Sequence, residues 1–316
     1  MTLTYVVDKE SKFKTVREVI LNEFHISSRL LTVLRKNKRI LLNNTSTYLD
    51  NEITLNDCIS INLDFDEDNS NIIPCNKPLD IIYEDESYIV ISKPAGIPTH
   101  PSCLHFDNTL SNMVKAYFDS INLKRKIRPV NRLDKDTSGL VVFAKNQYIH
   151  ERLSDQMLNN QFHKEYLAIL EGNLETKSGI IDAPISRKSN SIIEREISSS
   201  GEKAITHFEC IENYDNYCVV KFVLKTGRTH QIRVHSKYIN HPILGDTLYG
   251  KKSTLINRQA LHAYKISFFH PIKKSKVTYT RRITLWYERT YNLAITFIHY
   301  NVCLLYDKFV ELLALS

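Results

Sequence analysis

At 316 residues the chain is long enough for two domains, and with 42% apolar residues it can bury a sizeable core. Its 24% charged residues and mixed composition read as a soluble globular protein and exclude a disordered one. The formal net charge of +7, from 42 basic and 35 acidic residues, fits an anionic partner such as nucleic acid without requiring one.

The cysteines at 58, 75, 103, 210, 218 and 303 include no C-x-x-C pair, so a zinc site is not indicated and reduced thiols of a cytoplasmic protein are expected. Residues 1–12 hold no apolar run, which gives no sign of a signal peptide. The apolar stretch 291–306 carries His299 and is bounded by Arg289, Asp307 and Lys308. A membrane span needs about 20 apolar residues, so this stretch is expected to be a core or docking helix.

In chain order, residues 1–66 read as a separate module. Val16, Val19, Ile20 and Phe24 recur at helical spacing over 15–25. Ser27 or Ser28 caps a second helix carrying Leu30, Leu31 and Leu34. That helix and its exit hold Arg29, Arg35, Lys36, Lys38 and Arg39, either a solvated face or a nucleic-acid contact. Strand-like runs follow at 40–42 and 59–63. This order is similar to that of the S4 RNA-binding domain, which implies that the basic cluster faces RNA.

An acidic run followed by Asn, Ser and two prolines, DFDEDNSNIIPCNKP at 64–78, marks a linker, placed at 67–78. From 79 to 290 short strands dominate, with candidates at 87–91, 139–144, 166–170 and 219–224 and helices at 110–118 and 148–158. The strands come in runs without regular βαβ alternation, so the fold class is α+β, with a mixed and largely antiparallel sheet. After Trp286 the chain turns tyrosine- and leucine-rich, and the tail 291–316 has no functional reading.

The most informative stretch is RPVNRLDKDTSGLVVFAKN at 128–146, which sets Asp134 and Asp136 in a polar turn between two strands. A second cluster, KTGRTHQIRVHSKYINHPILGDTLYG at 225–250, crowds Arg228, His230, Arg233 and His235 together. If 231–235 is extended, His230, Ile232 and Val234 share one face and Gln231, Arg233 and His235 the other. A buried arginine there requires an anion, either Asp134 or an RNA phosphate. His230, His235 and His241 match no standard zinc spacing. In HKEYLAIL, at 163–170, alternation puts Lys164, Tyr166 and Ala168 on one face.

Taken together these segments resemble the RluA family of pseudouridine synthases. NRLDKDTSG is similar to the family's catalytic loop, whose aspartate falls on Asp134; SKPAGIPTHPS, HKEYLAIL, GEKAITHFE, GRTHQIRVH with HPILGDTLYG, and RQALHA follow its other motifs over residues 80–272. The resemblance implies a cofactor-free isomerase acting on structured RNA, ribosomal RNA first and transfer RNA as the alternative, in a chain expected to be monomeric. It implies Asp134 as the reacting carboxylate, Arg233 as its bidentate partner, Tyr166 stacking on the uracil and Leu261 closing the pocket. Arg132, Lys124, Lys126, Arg128, Arg228, His230, Lys251 and Lys252 are candidates for gripping RNA. The family's usual histidine before Arg132 is Asn131 here, which preserves a loop-shaping role and removes an acid–base one. That departure is the main support for an alternative, a catalytically silent RNA-binding or assembly protein on the same scaffold.

Overall fold

The computed structural model describes residues 1–281, so the apolar run at 291–306 and the remainder of the tail lie outside the described residues. The N-terminal module comprises β1 (Thr2–Val6), α1 (Val16–Glu18) running into a π turn at Val19–Glu23, α2 (Ser28–Lys36), β2 (Ile40–Leu42), β3 (Thr45–Ser46) and β4 (Cys58–Asn62). Its antiparallel sheet runs β1-β4-β2-β3. Thr15 caps α1 by accepting from the Glu18 N–H, and Ser27 caps α2 by accepting from the Leu30 N–H at 3.2 Å. Leu30, Leu31 and Leu34 of α2 are buried beside Val16, Val19, Ile20, Ile59 and Ile61. Strand β1 was not expected: its TLTYV alternates only between half-buried and exposed positions, so it carries little hydrophobic signal.

The acidic run after β4 is held against the second domain. Glu67 takes both terminal nitrogens of Arg128, at 2.7 and 2.5 Å, and the Arg125 guanidinium pairs with Asp64 at 3.0 Å and donates to the Phe65 carbonyl. Lys124 lies 3.7 Å from Asp66.

The second domain continues with β5 (Ile81–Glu84), β6 (Tyr88–Lys93), α3 (Leu110–Ser120), β7 (Arg128–Pro129), β8 (Ser138–Ala144), α4 (Gln147–Leu158), β9 (His163–Glu171), β10 (Ser178–Asp182), β11 (Ile185–Arg187), β12 (Arg195–Ile197), β13 (Ile205–Asn213), β14 (Tyr217–Leu224), α5 (Gln231–Tyr238), β15 (Leu261–Phe269) and β16 (Lys276–Thr280). One mixed sheet runs β10-β13-β14-β9-β15-β8-β6-β5, with β16 on β15 and β7 on β8; β11 and β12 form a separate hairpin. The domain is α+β, as its runs of strands imply.

Alternation along the central strands builds two cores. Ile89, Ile91, Val141, Phe143, Tyr166, Ala168 and Phe222 point to one side, under α3 and Ile232 of α5. Tyr88, Val90, Leu140, Val142 and Phe268 point to the other, where α4 and the N-terminal module complete the packing. The module is docked there by a 2.8 Å hydrogen bond from Ser27 Oγ to Glu151 of α4.

The expected extended segment at 231–235 is instead the start of α5. Gln231 decides this locally. Its Oε1 accepts from the Arg228 N–H at 2.9 Å and from the Thr226 hydroxyl at 2.8 Å, closing a turn that His230 completes in the left-handed region at φ 59°. On a helix, residues 231–236 are all buried, and the strand-based division into two faces is lost.

Strand β8 meets β15 in parallel through only His262↔Ser138 and Ala263↔Gly139, at the very point where the Asp134 loop enters the sheet. Gly139 has φ +118°, and a Cβ there would lie 2.3 Å from the Ala263 carbonyl oxygen. Gly139→Ala is therefore expected to destabilise the fold by about 3 kcal/mol or more, read as a lower urea midpoint at unchanged slope. A midpoint within error of wild type would show that the close approach is not obligatory.

Candidate active site

The loop joining β7 to β8 is held from four directions. Asn131 is buried; its Nδ2 donates to the Leu140 carbonyl at 3.1 Å and its Oδ1 accepts from the Val142 N–H at 2.9 Å. Thr99 Oγ1 accepts from the Leu133 N–H at 3.1 Å and donates to the Leu133 carbonyl at 3.0 Å. Lys93 is fully buried at the end of β6, its ammonium donating to the carbonyls of Pro94, Ile97 and Lys135, each at 2.9 Å. Burial pulls Lys93 down to about 7, against the charges of Asp134 and Asp136. Gln259 donates to Thr137 Oγ1 at 3.2 Å, and Ser138 Oγ lies 2.9 Å from Nδ1 of His262, whose imidazole burial drives down to about 4.

This loop presents Asp134 with its side chain 27% exposed. Arg233, reaching across from the first turn of α5, places Nη1 3.3 Å from Asp134 Oδ2. The expected bidentate pairing, however, goes elsewhere: Nε and Nη2 of Arg233 donate to the two oxygens of buried Asp246, at 2.7 and 2.8 Å. Asp246 also accepts from the N–H groups of Leu248 and Tyr249. Burial disfavours the Arg233 cation, but Asp246 and then Asp134 outweigh this and keep it charged. Its carbon Cζ lies 5.0 Å from the centroid of the Tyr249 ring.

His230 completes the group. Its Nε2 is 3.9 Å from Asp134 Oδ2, and its Nδ1 is 2.8 Å from the Tyr249 hydroxyl, which in turn accepts from the Arg195 N–H at 2.8 Å. Burial lowers the imidazole below its ordinary value, with Asp134 opposing. The β11–β12 hairpin thus braces the cleft through Tyr249.

Tyr166 lies behind the carboxylate, buried on β9 opposite Ala263 of β15 and Phe222 of β14. Burial and the Asp134 charge both push its phenol upward, so it is neutral. Leu261, with Leu133, Ile232 and Ala260, belongs to the same apolar cluster. Asp134, Arg233, His230 and Tyr166 are therefore brought together, and Leu261 lies opposite Ala168 in the apolar cluster that holds Tyr166. Asp246, Lys93, Thr99 and Tyr249 were not singled out from sequence. The one usable signal was that a buried arginine demands a full counter-ion, and the GDTLYG run supplies it.

The expected RNA-gripping residues divide. Arg29, Arg35, Lys36 and Lys38 are exposed on α2 and its exit, as are Arg132, Lys126 and Lys252. Arg39 is half-buried over the Phe65 ring, with 6.0 Å to the centroid. Arg128 is corrected to a tether: Glu67 occupies its fork in a mostly buried pair. Arg228 pairs with exposed Glu202, and Lys251 lies 3.3 Å from Glu171. His235 is spent on Thr206 Oγ1 and the Ala183 carbonyl, and His241 on the Glu171 carbonyl, so with His230 they form no common metal cage. No helix among the described residues is long and apolar enough to cross a membrane.

A carboxylate on a clamped loop, a buried arginine beside it and a buried tyrosine behind them form one cluster. The model of the RNA pseudouridylate synthase family matches residues 87–238. The chain is 38% identical over 270 residues to the RNA pseudouridine synthase YhcT of Bacillus subtilis, covering 81% of this chain and 89% of that protein. It is 41% identical over 219 residues to ribosomal large subunit pseudouridine synthase D of Borreliella burgdorferi, covering 65% of this chain and 66% of that one. The solved structure of human RNA pseudouridylate synthase domain containing 1 shares the fold, with TM-score 0.54 and 24% identity over 65% of this chain and 83% of that one. The chain belongs to the RluA family of RNA pseudouridine synthases and is an isomerase.

Asp246→Asn removes the counter-ion of a buried cation. The variant is expected to lose about 3 kcal/mol of stability in urea. Arg233 then turns wholly to Asp134 and draws it out of position, lowering turnover about a hundredfold. Full turnover in a stably folded Asp246→Asn protein would show that Asp134 needs no anchored arginine.

Proposed function

We propose that this chain converts particular uridines of structured RNA to pseudouridine, with Asp134 as the reacting carboxylate. The observation that supports this most is the placement of Asp134: exposed enough to reach a nucleotide, tied to Arg233 through one oxygen and backed by Tyr166. The reaction breaks the N1–C1′ bond, turns the uracil and joins C5 to C1′; the C5 hydrogen leaves as a proton and N1 takes one up. Nothing is oxidised and the composition of the RNA is unchanged. Asp134 acts at the glycosidic bond, Tyr166 and Leu261 hold the detached ring by apolar contact, and Arg233 keeps the carboxylate aimed. A uridine in a helix must leave its stack to reach this cleft, at a cost of a few kcal/mol offset by phosphate contacts. Exposed Arg132 and Lys126 flank the loop for that purpose. Asn131 keeps the loop shape with neutral hydrogen bonds, which speaks for activity over a silent scaffold.

Ribosomal RNA is the favoured substrate, since relatives at 37–41% identity are named as synthases of the ribosomal large subunit. The N-terminal module is proposed as an S4-like RNA-binding domain. Its α2 offers Arg29, Arg35 and Lys36 to solvent while Leu30, Leu31 and Leu34 face its core.

Tritium release from RNA labelled at uridine C5 tests the activity, because joining C5 to the ribose expels that hydrogen. With total RNA from a strain lacking the protein, wild type is expected to release label and Asp134→Asn none, while the variant still binds RNA. A few per cent of activity in the variant would remove Asp134 from the reacting role. Reversing Arg29, Arg35 and Lys36 to glutamate is expected to weaken RNA binding and reduce the slope of log affinity against log salt by about 2–3, with turnover at saturation unchanged. An unchanged slope would make α2 a merely solvated face.

A further inference from the structure

One rim of the cleft carries apolar side chains that fold stability does not explain. Between β6 and α3 the chain doubles back where Ser102 and His105 exchange both backbone hydrogen bonds, at 2.9 and 3.0 Å. Cys103 and Leu104 form the tip and Phe106 follows it; Leu104 is 88% exposed and Phe106 59%. The base of this turn is firmly braced. Ser111 Oγ donates to the Thr99 carbonyl at 2.8 Å, and Asn112 Nδ2 donates to the Phe106 carbonyl at 3.0 Å. Thr99 is the residue that clamps Leu133, next to Asp134. The turn also meets the catalytic loop at its other side, where His105 Nε2 lies 3.5 Å from Lys135 Nζ and the Gly96 N–H donates to the Lys135 carbonyl at 3.0 Å.

The turn therefore borders the loop that carries Asp134. Lys135 and Arg132 are exposed beside it and Lys77 is held beside Asn108 at 2.8 Å, while exposed Asp107 follows Phe106. Extrusion of a nucleotide opens a gap in a base stack and leaves the flanking base faces bare. Apolar side chains are the groups that fill such gaps, and aromatic rings stack on any base. A braced turn with an uncovered Leu and Phe, continuous with the loop that holds the reacting carboxylate, suits that partner. We propose that the 102–106 turn is a stacking edge for RNA, with Leu104 and Phe106 packing on the bases that flank the extruded uridine. This rests on the synthase reading above.

The test uses the full chain with Leu104→Ala and Phe106→Ala combined, and Phe106→Trp as the ring-preserving variant. Both positions are solvent-exposed, so unchanged thermal midpoints are expected. The substrate is C5-tritiated total RNA from a strain lacking the protein, either folded in magnesium or melted in EDTA. On folded RNA the double alanine variant is expected to release label about tenfold more slowly than wild type, and on melted RNA within about twofold of it, because only the stacked target needs help in leaving its stack. Phe106→Trp is expected to keep the wild-type rate, and its added indole emission, above that of Trp286, to be quenched by folded RNA. Equal rates for wild type and the double variant on folded RNA, or equal losses on both RNAs, would overturn the stacking edge. So would unquenched indole emission, which decides the matter where wild type accepts folded RNA alone. Loss of a protein complex at unchanged RNA turnover would reassign the turn to a protein contact and overturn it likewise. No release by wild type from either RNA would sink the synthase reading itself, and this inference with it.

Discussion

A buried guanidinium with one spare hydrogen-bonding edge organises this molecule. Arg233 is nearly excluded from water, and a lone cation in that position is not tolerable. Asp246 neutralises it with two short hydrogen bonds and is in turn held by two backbone N–H groups. Only the third edge is left for Asp134, at 3.3 Å. The partition matters chemically. Had Arg233 given its full fork to Asp134, the carboxylate would be a tightly paired structural ion. Anchored on Asp246 instead, the arginine directs Asp134 through one oxygen and leaves the carboxylate open to a substrate.

Much of the second domain serves to keep that geometry still. Parallel contact between β8 and β15 pins one end of the Asp134 loop, and Gly139 permits the approach. Neutral groups do most of the clamping: the Asn131 amide ties the loop to the β8 backbone, and the Thr99 hydroxyl and the Gln259 amide bond loop atoms, all where water is excluded. Lys93 is the exception, a buried amine whose three carbonyl acceptors match the three protons of an ammonium. Its hold on the Lys135 carbonyl links β6 directly to the residue after Asp134.

Charge is also divided more finely than a net value shows. The acidic run 64–67 looks like a solvated linker, yet it engages Lys124, Arg125 and Arg128 and so offsets positive charge in the stretch leading to the Asp134 loop. Arg29, Arg35 and Lys36 on α2 and Arg132, Lys126 and Lys135 near the Asp134 loop stay exposed. Pairing of this kind, not the net charge, sets where positive potential reaches solvent.

Local pattern was enough for what depends on neighbours in the chain. Short apolar runs placed β6, β8, β9 and β14, helical spacing placed α2, α3 and α4, and the expected pairing of Asp134 with Arg233 is met through one hydrogen bond. Strand β1 escaped because its alternation is only partly buried, and α5 was read as extended because the Gln231 side chain, not periodicity, turns the chain into a helix. Which carboxylate takes the arginine fork, which basic residues are already paired, and which apolar side chains stay bare on the rim depend on side chains far apart in sequence meeting in space. Asp246 meets Arg233 and Glu67 meets Arg128 only after the sheet and helices have packed. The residue types along the chain therefore determined the chemistry available, and tertiary packing decided which of those charges were left free to act, because a buried charge takes whichever partner the fold delivers to it.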